Sequence, residues 1–143
     1  MNRRRQKKLS KRLVEAATFG DSDEINALLR AGAGPEAGDT EGTTPLYAAS
    51  VHGAADNVLC LLKAGASPDT ESGRGAEGTP LCAAACWGHT ETVRALLAHG
   101  ADPDLREDHG TGRSPLAWAM TGPHPETIAL LLAAGARPYD HAA

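Results

Sequence analysis

A short motif recurs at a fixed interval along this chain, and that interval constrains the fold more than any other feature. Thr44-Pro45-Leu46 returns as Thr79-Pro80-Leu81 and again as Ser114-Pro115-Leu116, 35 residues apart each time. A Leu-Leu pair followed by Gly-Ala recurs as well: Leu28-Leu29 with Gly32-Ala33, Leu61-Leu62 with Gly65-Ala66, Leu96-Leu97 with Gly100-Ala101, and Leu131-Leu132 with Gly135-Ala136. A branched apolar residue (Ile25, Val58, Val93 or Ile128) stands three positions before each pair. A repeat of this length is one supersecondary unit that cannot bury its apolar face alone, so successive units must stack.

Each recurring residue type has a mechanical reason. Thr or Ser before Pro starts a helix, the hydroxyl capping and Pro filling the first turn. An Ala-rich helix is expected over 45–52, 80–87 and 115–121, with small side chains that let neighbours approach closely. Gly20, Gly53 and Gly88 are expected to end the first helix of their units in a left-handed conformation. Second helices are expected at about 22–31, 55–64, 90–99 and 125–134, where Ile/Val-x-x-Leu-Leu has helical spacing and faces the core. Leu96 and Leu97 are expected to be among the most buried residues. The Asp-, Gly- and Pro-rich stretches between units read as turns.

These units resemble ankyrin repeats. Thr79-Pro80-Leu81, Gly88-His89, Val93, Leu96-Leu97 and Gly100-Ala101-Asp102-Pro103 carry the resemblance, which covers about 11–140. It implies an all-α solenoid of four helix-turn-helix units, with β-hairpin-like fingers and a concave partner-binding face. The repeats fall at about 9–38, 39–73, 74–108 and 109–140. The first lacks the Thr-Pro-Leu start and has Lys11-Arg12-Leu13 there, which reads as a polar cap of the kind a solenoid needs. The fingers at 67–78 and 102–113 are each two residues longer than the first. In the fourth unit Pro123-His124 replaces Gly-His and stiffens the link between its helices. His89 and His124 align and are expected to bond loop backbone.

Charge divides the chain. Net charge is −4, yet residues 1–12 hold seven of the fourteen Lys and Arg. Residues 13–143 carry seven basic and eighteen acidic residues, a balance of −11. The basic arm, 1–12, reads as a solvated, partly disordered start to a repeat domain at 13–140. A single basic patch without interleaved aromatics is a weak nucleic-acid signal, and nucleic acid is not the expected partner. No apolar h-region follows the basic start, and no run approaches the roughly 20 apolar residues a membrane span needs. The three cysteines fit a reducing, cytoplasmic setting. The Ala-, Gly- and Arg-rich composition with few Lys points toward a GC-rich bacterial genome.

No residues present catalytic, metal or cofactor chemistry at recognisable spacing. Cys82 and Cys86 share a helix face, but nothing supplies two further zinc ligands. The glycines stand singly at helix ends, so there is no phosphate loop, and no His-Glu-x-x-His occurs. The expected function is therefore a protein–protein interaction module: an adaptor, inhibitor or scaffold. In the ankyrin pattern, the two residues before the glycine that closes the first helix face the groove. Here they are Thr18-Phe19, Val51-His52, Cys86-Trp87 and Thr121-Gly122. Two of the five aromatic residues, Phe19 and Trp87, stand in this register, and aromatics are enriched at binding hot spots. Trp118 lies one turn deeper and is expected in the core. The candidate partner-binding set is Phe19, Val51, His52, Cys86 and Trp87, with Glu41, Thr43, His109 and Arg113 from the fingers. The acidic rim suits a protein with a basic patch and an apolar anchor. The alternative is a small enzyme or ligand-binding protein with a groove pocket around His52, Cys86 and Trp87.

The last unit departs from the solenoid rule that terminal repeats are more polar. Ala129 and Ala133 stand where Asn26, Arg30, Lys63 and Arg94 mark outer positions elsewhere. Either the tail around Arg137-Pro138-Tyr139 covers this end, or another chain docks on it, so a monomer or a weak dimer through the C-terminal repeat is expected.

Overall fold

The computed structural model describes residues 2–138; Tyr139 and Asp140, to which the expected tail and domain end extend, lie outside them. Helices begin where the capping chemistry puts them. The hydroxyls of Thr44, Thr79 and Ser114 accept the N–H groups of Tyr47, Cys82 and Ala117 at 3.2, 3.1 and 3.1 Å. Pro follows each cap and opens α3 (Pro45–Val51), α5 (Pro80–Trp87) and α8 (Pro115–Ala119). The second helices are α2 (Ser22–Arg30), α4 (Ala55–Lys63), α6 (Thr90–Ala98) and α9 (Pro125–Ala133). One further helical turn, α7 (Glu107–Gly110), sits in the third finger. Helix α8 stops two residues short of the expected 121. Pro123 disfavours helix in the residue before it, and Thr121 N–H already bonds Trp118 O in a tightened last turn.

The first helix differs most from expectation. Helix α1 runs unbroken over Arg3–Phe19, so the basic residues form helical turns rather than a partly disordered arm. Asn2 caps it, its Oδ1 accepting Arg5 N–H at 2.8 Å. Leu9 and Ser10 are already buried, so packing begins before residue 13.

Short links fold each helix pair back on itself. Helices α1, α3, α5 and α8 pack in one row, and α2, α4, α6 and α9 in a second row against it. The core lies between the rows. Leu13, Leu46, Leu81 and Leu116 face it from one side, and Ile25, Val58 and Val93 with Leu28, Leu61, Leu96 and Leu131 from the other. Leu97 is only half-buried, in contrast to Leu96: the first leucine of each pair points between the rows, while the second lies at the seam to the next repeat.

Histidines stitch the repeats. His89 Nε2–H donates to Val51 O at 2.9 Å and His124 Nε2–H to Cys86 O at 3.0 Å. Gly53 and Gly88 have φ of 68° and 69°, and any side chain there would run into the His89 and His124 rings. Glycine is therefore required twice over at these positions. Gly20 is instead extended, with φ −98°, because α1 passes straight into the extended Asp21 cap of α2.

The two ends of the stack are unlike. At the N-terminal end, exposed Arg12 and Glu24 occupy columns that hold buried Pro45, Pro80 and Pro115, and buried Asn57, Thr92 and Thr127, in the later repeats. Charges thus close that end. At the other end, Met120 is 64% exposed in the column of buried Ala17, Ser50 and Ala85, and Leu132 is 45% exposed in the column of Leu29, Leu62 and Leu97. The seam between repeats is repeated there with apolar side chains facing outward.

Candidate functional site

The last turns of the inner helices carry the groove register. Phe19 and Trp87 are 85% and 63% exposed, and His52 between them is exposed too. His52 Nδ1–H donates to Ala48 O at 3.0 Å, which fixes the ring against its own helix. The Phe19 ring meets it edge-on, with centroids 6.0 Å apart and planes at 64°. Burial cannot account for these aromatics, since each leaves most of its surface in water. The side chains of Val51 and Cys86 are half-buried beside the row, and their carbonyls are taken by His89 and His124. In the fourth repeat the register continues as exposed Thr121 and half-buried Gly122.

Among the described residues no hydrogen bond or ring contact joins His52 to Cys86. Five surface clefts of 270 to 620 Å³ have other linings, and none includes His52, Cys86 or Trp87. With Phe19, His52 and Trp87 all exposed, the row lies open on the surface. Cys82 is buried and inert: burial pushes its thiol up to about 12.

The fingers form a linked strip. Each tip closes by hairpin-like backbone bonds: Asp39 N–H to Thr43 O, Ser72 N–H to Gly78 O, and Glu107 N–H to Arg113 O. Among the described residues these closures stay short of strands, and the pairing of Ser72 with Gly78 is an isolated bridge. Thr43 Oγ1–H donates to the Glu77 carboxylate at 2.9 Å, joining the first finger to the second. The Glu71 carboxylate accepts His109 N–H at 2.8 Å, joining the second to the third. Thr43 and His109 are thus tied into the strip, whereas Glu41 projects from it, exposed.

Arg113 and Trp118 were not expected to meet. The Arg113 guanidinium lies over the Trp118 ring, 4.8 Å from its centroid, and Trp118 Nε1–H donates to Glu107 at 2.9 Å. Trp118 is therefore half-buried in a 370 Å³ cleft under the third finger, not in the core. Its column holds Ala48 and Ala83 in earlier repeats, and a large aromatic replacing alanine was the available sign. Burial pushes the Glu107 carboxyl above its ordinary value, against the Trp118 hydrogen bond that pulls it down. Met120, exposed at the open end, was the other residue missed.

Paired helices, capped by Thr-Pro or Ser-Pro, stitched by histidines and joined through projecting fingers, define a repeat module. A family model of ankyrin repeats, in three copies, matches residues 70–141, half of the chain, and the chain belongs to the ankyrin-repeat family. No curated protein matches it. Ankyrin repeats are in general protein–protein interaction modules and bind other proteins. No helix among the described residues is long and apolar enough to cross a membrane.

Proposed function

We propose that this protein binds a protein partner across the groove row of Phe19, His52 and Trp87, acting as an adaptor, inhibitor or scaffold in a reducing, cytoplasmic setting. The observation that carries the proposal is the exposure of two of the chain's five aromatic residues in one register on the same face. Large amphipathic rings held on rigid helix ends cost little conformational entropy to bury and anchor hot spots. Val51 and Cys86 flank the row. Glu41, Glu77 and Asp108 are exposed on the finger strip and give its rim an acidic character, which suits a partner with a basic patch and an apolar anchor for Trp87. Arg113 takes part only through its stack with Trp118, at the edge of the surface. The exposed apolar side chains of Met120 and Leu132 additionally support a weak dimer through the C-terminal repeat.

The test is a pair of substitutions read in two assays, with the partner obtained by affinity capture from the native host. Trp87→Ala removes a side chain whose exposed majority is available to a partner, and should weaken binding by about 2 kcal/mol or more. Because part of the ring is already packed, thermal stability should fall by no more than about 1–2 kcal/mol. Glu41→Lys should act mainly on the association rate and its salt dependence. If Trp87→Ala unfolds the chain and leaves affinity per folded molecule unchanged, the ring is structural and the proposal fails.

A further inference from the structure

A second feature lies away from the groove, where the basic start of α1 meets the first two fingers. Arg3, Lys7 and Arg74 line a cleft of about 420 Å³ together with residues 37–40 of the first finger. Arg3 and Lys7 are one helical turn apart on α1, and Arg74 reaches in from the tip of the second finger, its guanidinium donating to Thr40 O at 3.3 Å. Among the described residues none of the three makes an ion pair. Asp39 is the acidic residue of the lining, and its Oδ1 already accepts Glu41 N–H and Thr43 N–H at 2.9 and 3.1 Å.

Three features of this cleft oppose stability. Like charges at i, i+4 repel, and cations in the first turn oppose the helix dipole. Arg74 is held at φ 56°, ψ 34°, a left-handed conformation that costs a non-glycine residue energy. Ser10 lines the same cleft and is itself 6% exposed.

We infer that this cleft binds a compact polyanion of the phosphate class, with Arg3, Lys7 and Arg74 as charge partners and Ser10 as a hydroxyl donor. The volume is that of a small-ligand site rather than of a single oxyanion. A nucleic-acid strand fits less well: the lining has no aromatic platform for bases, and residues 13–143 together carry a balance of −11 that repels an extended polyanion. The inference is independent of the groove.

The experiment is calorimetric titration of the full chain with sodium tripolyphosphate at constant ionic strength. Saturable one-to-one binding is expected. Arg74→Gly relieves the backbone strain while removing the guanidinium, so it should leave the melting temperature undiminished and weaken binding at least about tenfold, the worth of a charge-assisted contact. Ser10→Ala should weaken it about threefold or more, as befits one neutral hydrogen bond. Lys11→Ala, outside the cleft, should change it less than about threefold. Equal losses for Arg74→Gly and Lys11→Ala would reduce the effect to a diffuse basic field and overturn the site. Absence of saturation would do the same, as would a single-stranded oligonucleotide that binds more tightly with increasing length and displaces tripolyphosphate.

Discussion

Truncating Leu96 and Leu97 separately tests how the repeats bury their core. Leu96 is 0% exposed in α6, which is packed against α4, α5 and α9. A site enclosed on three sides collapses poorly, so Leu96→Ala should cost about 3–4 kcal/mol, within the usual range for a buried leucine. Leu97 is half-buried at the seam, so Leu97→Ala should lose only about half of a leucine's transfer energy, about 1–1.5 kcal/mol. The gap of about 2 kcal/mol is large against the total of about 5–15 kcal/mol that a domain of this size holds. Urea unfolding followed by far-ultraviolet circular dichroism measures both, and coincidence with tryptophan fluorescence checks that unfolding is a single transition. If Leu97→Ala shifts the midpoint as much as Leu96→Ala, the assignment of the first leucine to the core and the second to the seam is wrong.

Light scattering over a concentration series should show weak association that Leu132→Lys or Met120→Lys abolishes while changing monomer stability by less than about 0.5 kcal/mol; a wild-type monomer at every concentration would end the dimer proposal. Cys82 is held protonated in the fold well above the ordinary thiol range, so its contribution is fully present below the unfolded thiol's pKa. Stability should therefore decline as pH rises from about 9 toward 12, and Cys82→Ala should flatten that decline in alkaline denaturation curves. In the native protein a thiol reagent should modify Cys60 and Cys86 but reach Cys82 only on unfolding.

Helices α3, α5 and α8 were legible in the sequence because the start of each is fixed locally. A cap, a proline and an apolar stripe define a start and a face, and the second helices match expectation to within a residue. Exposure of Phe19, His52 and Trp87 followed from register alone, since the same column is set by the same helix geometry in each repeat. What was not legible depended on contacts between distant segments. The helical state of residues 3–12 runs against their mutual repulsion and rests on the Asn2 cap and on Leu9 and Ser10 packing into the body. Trp118 was misplaced because its position is decided by Glu107 and Arg113 in the third finger. The left-handed Arg74, Asp108 and His109 at the finger tips likewise have no glycine to announce them.

The unlike ends of the stack give the molecule a direction along which it can be lengthened. A designed unit added before α1 would face Arg12 and Glu24, and both would have to be replaced before apolar packing could resume. A unit added after α9 would meet Met120, Ile128 and Leu132 in the columns that already receive a neighbour elsewhere, and could be grafted without altering the four existing repeats. Hydrogen exchange should follow the same polarity, with amides of α8 and α9 exchanging first in the parent chain and becoming protected once such a unit, with a polar outer surface of its own, is in place.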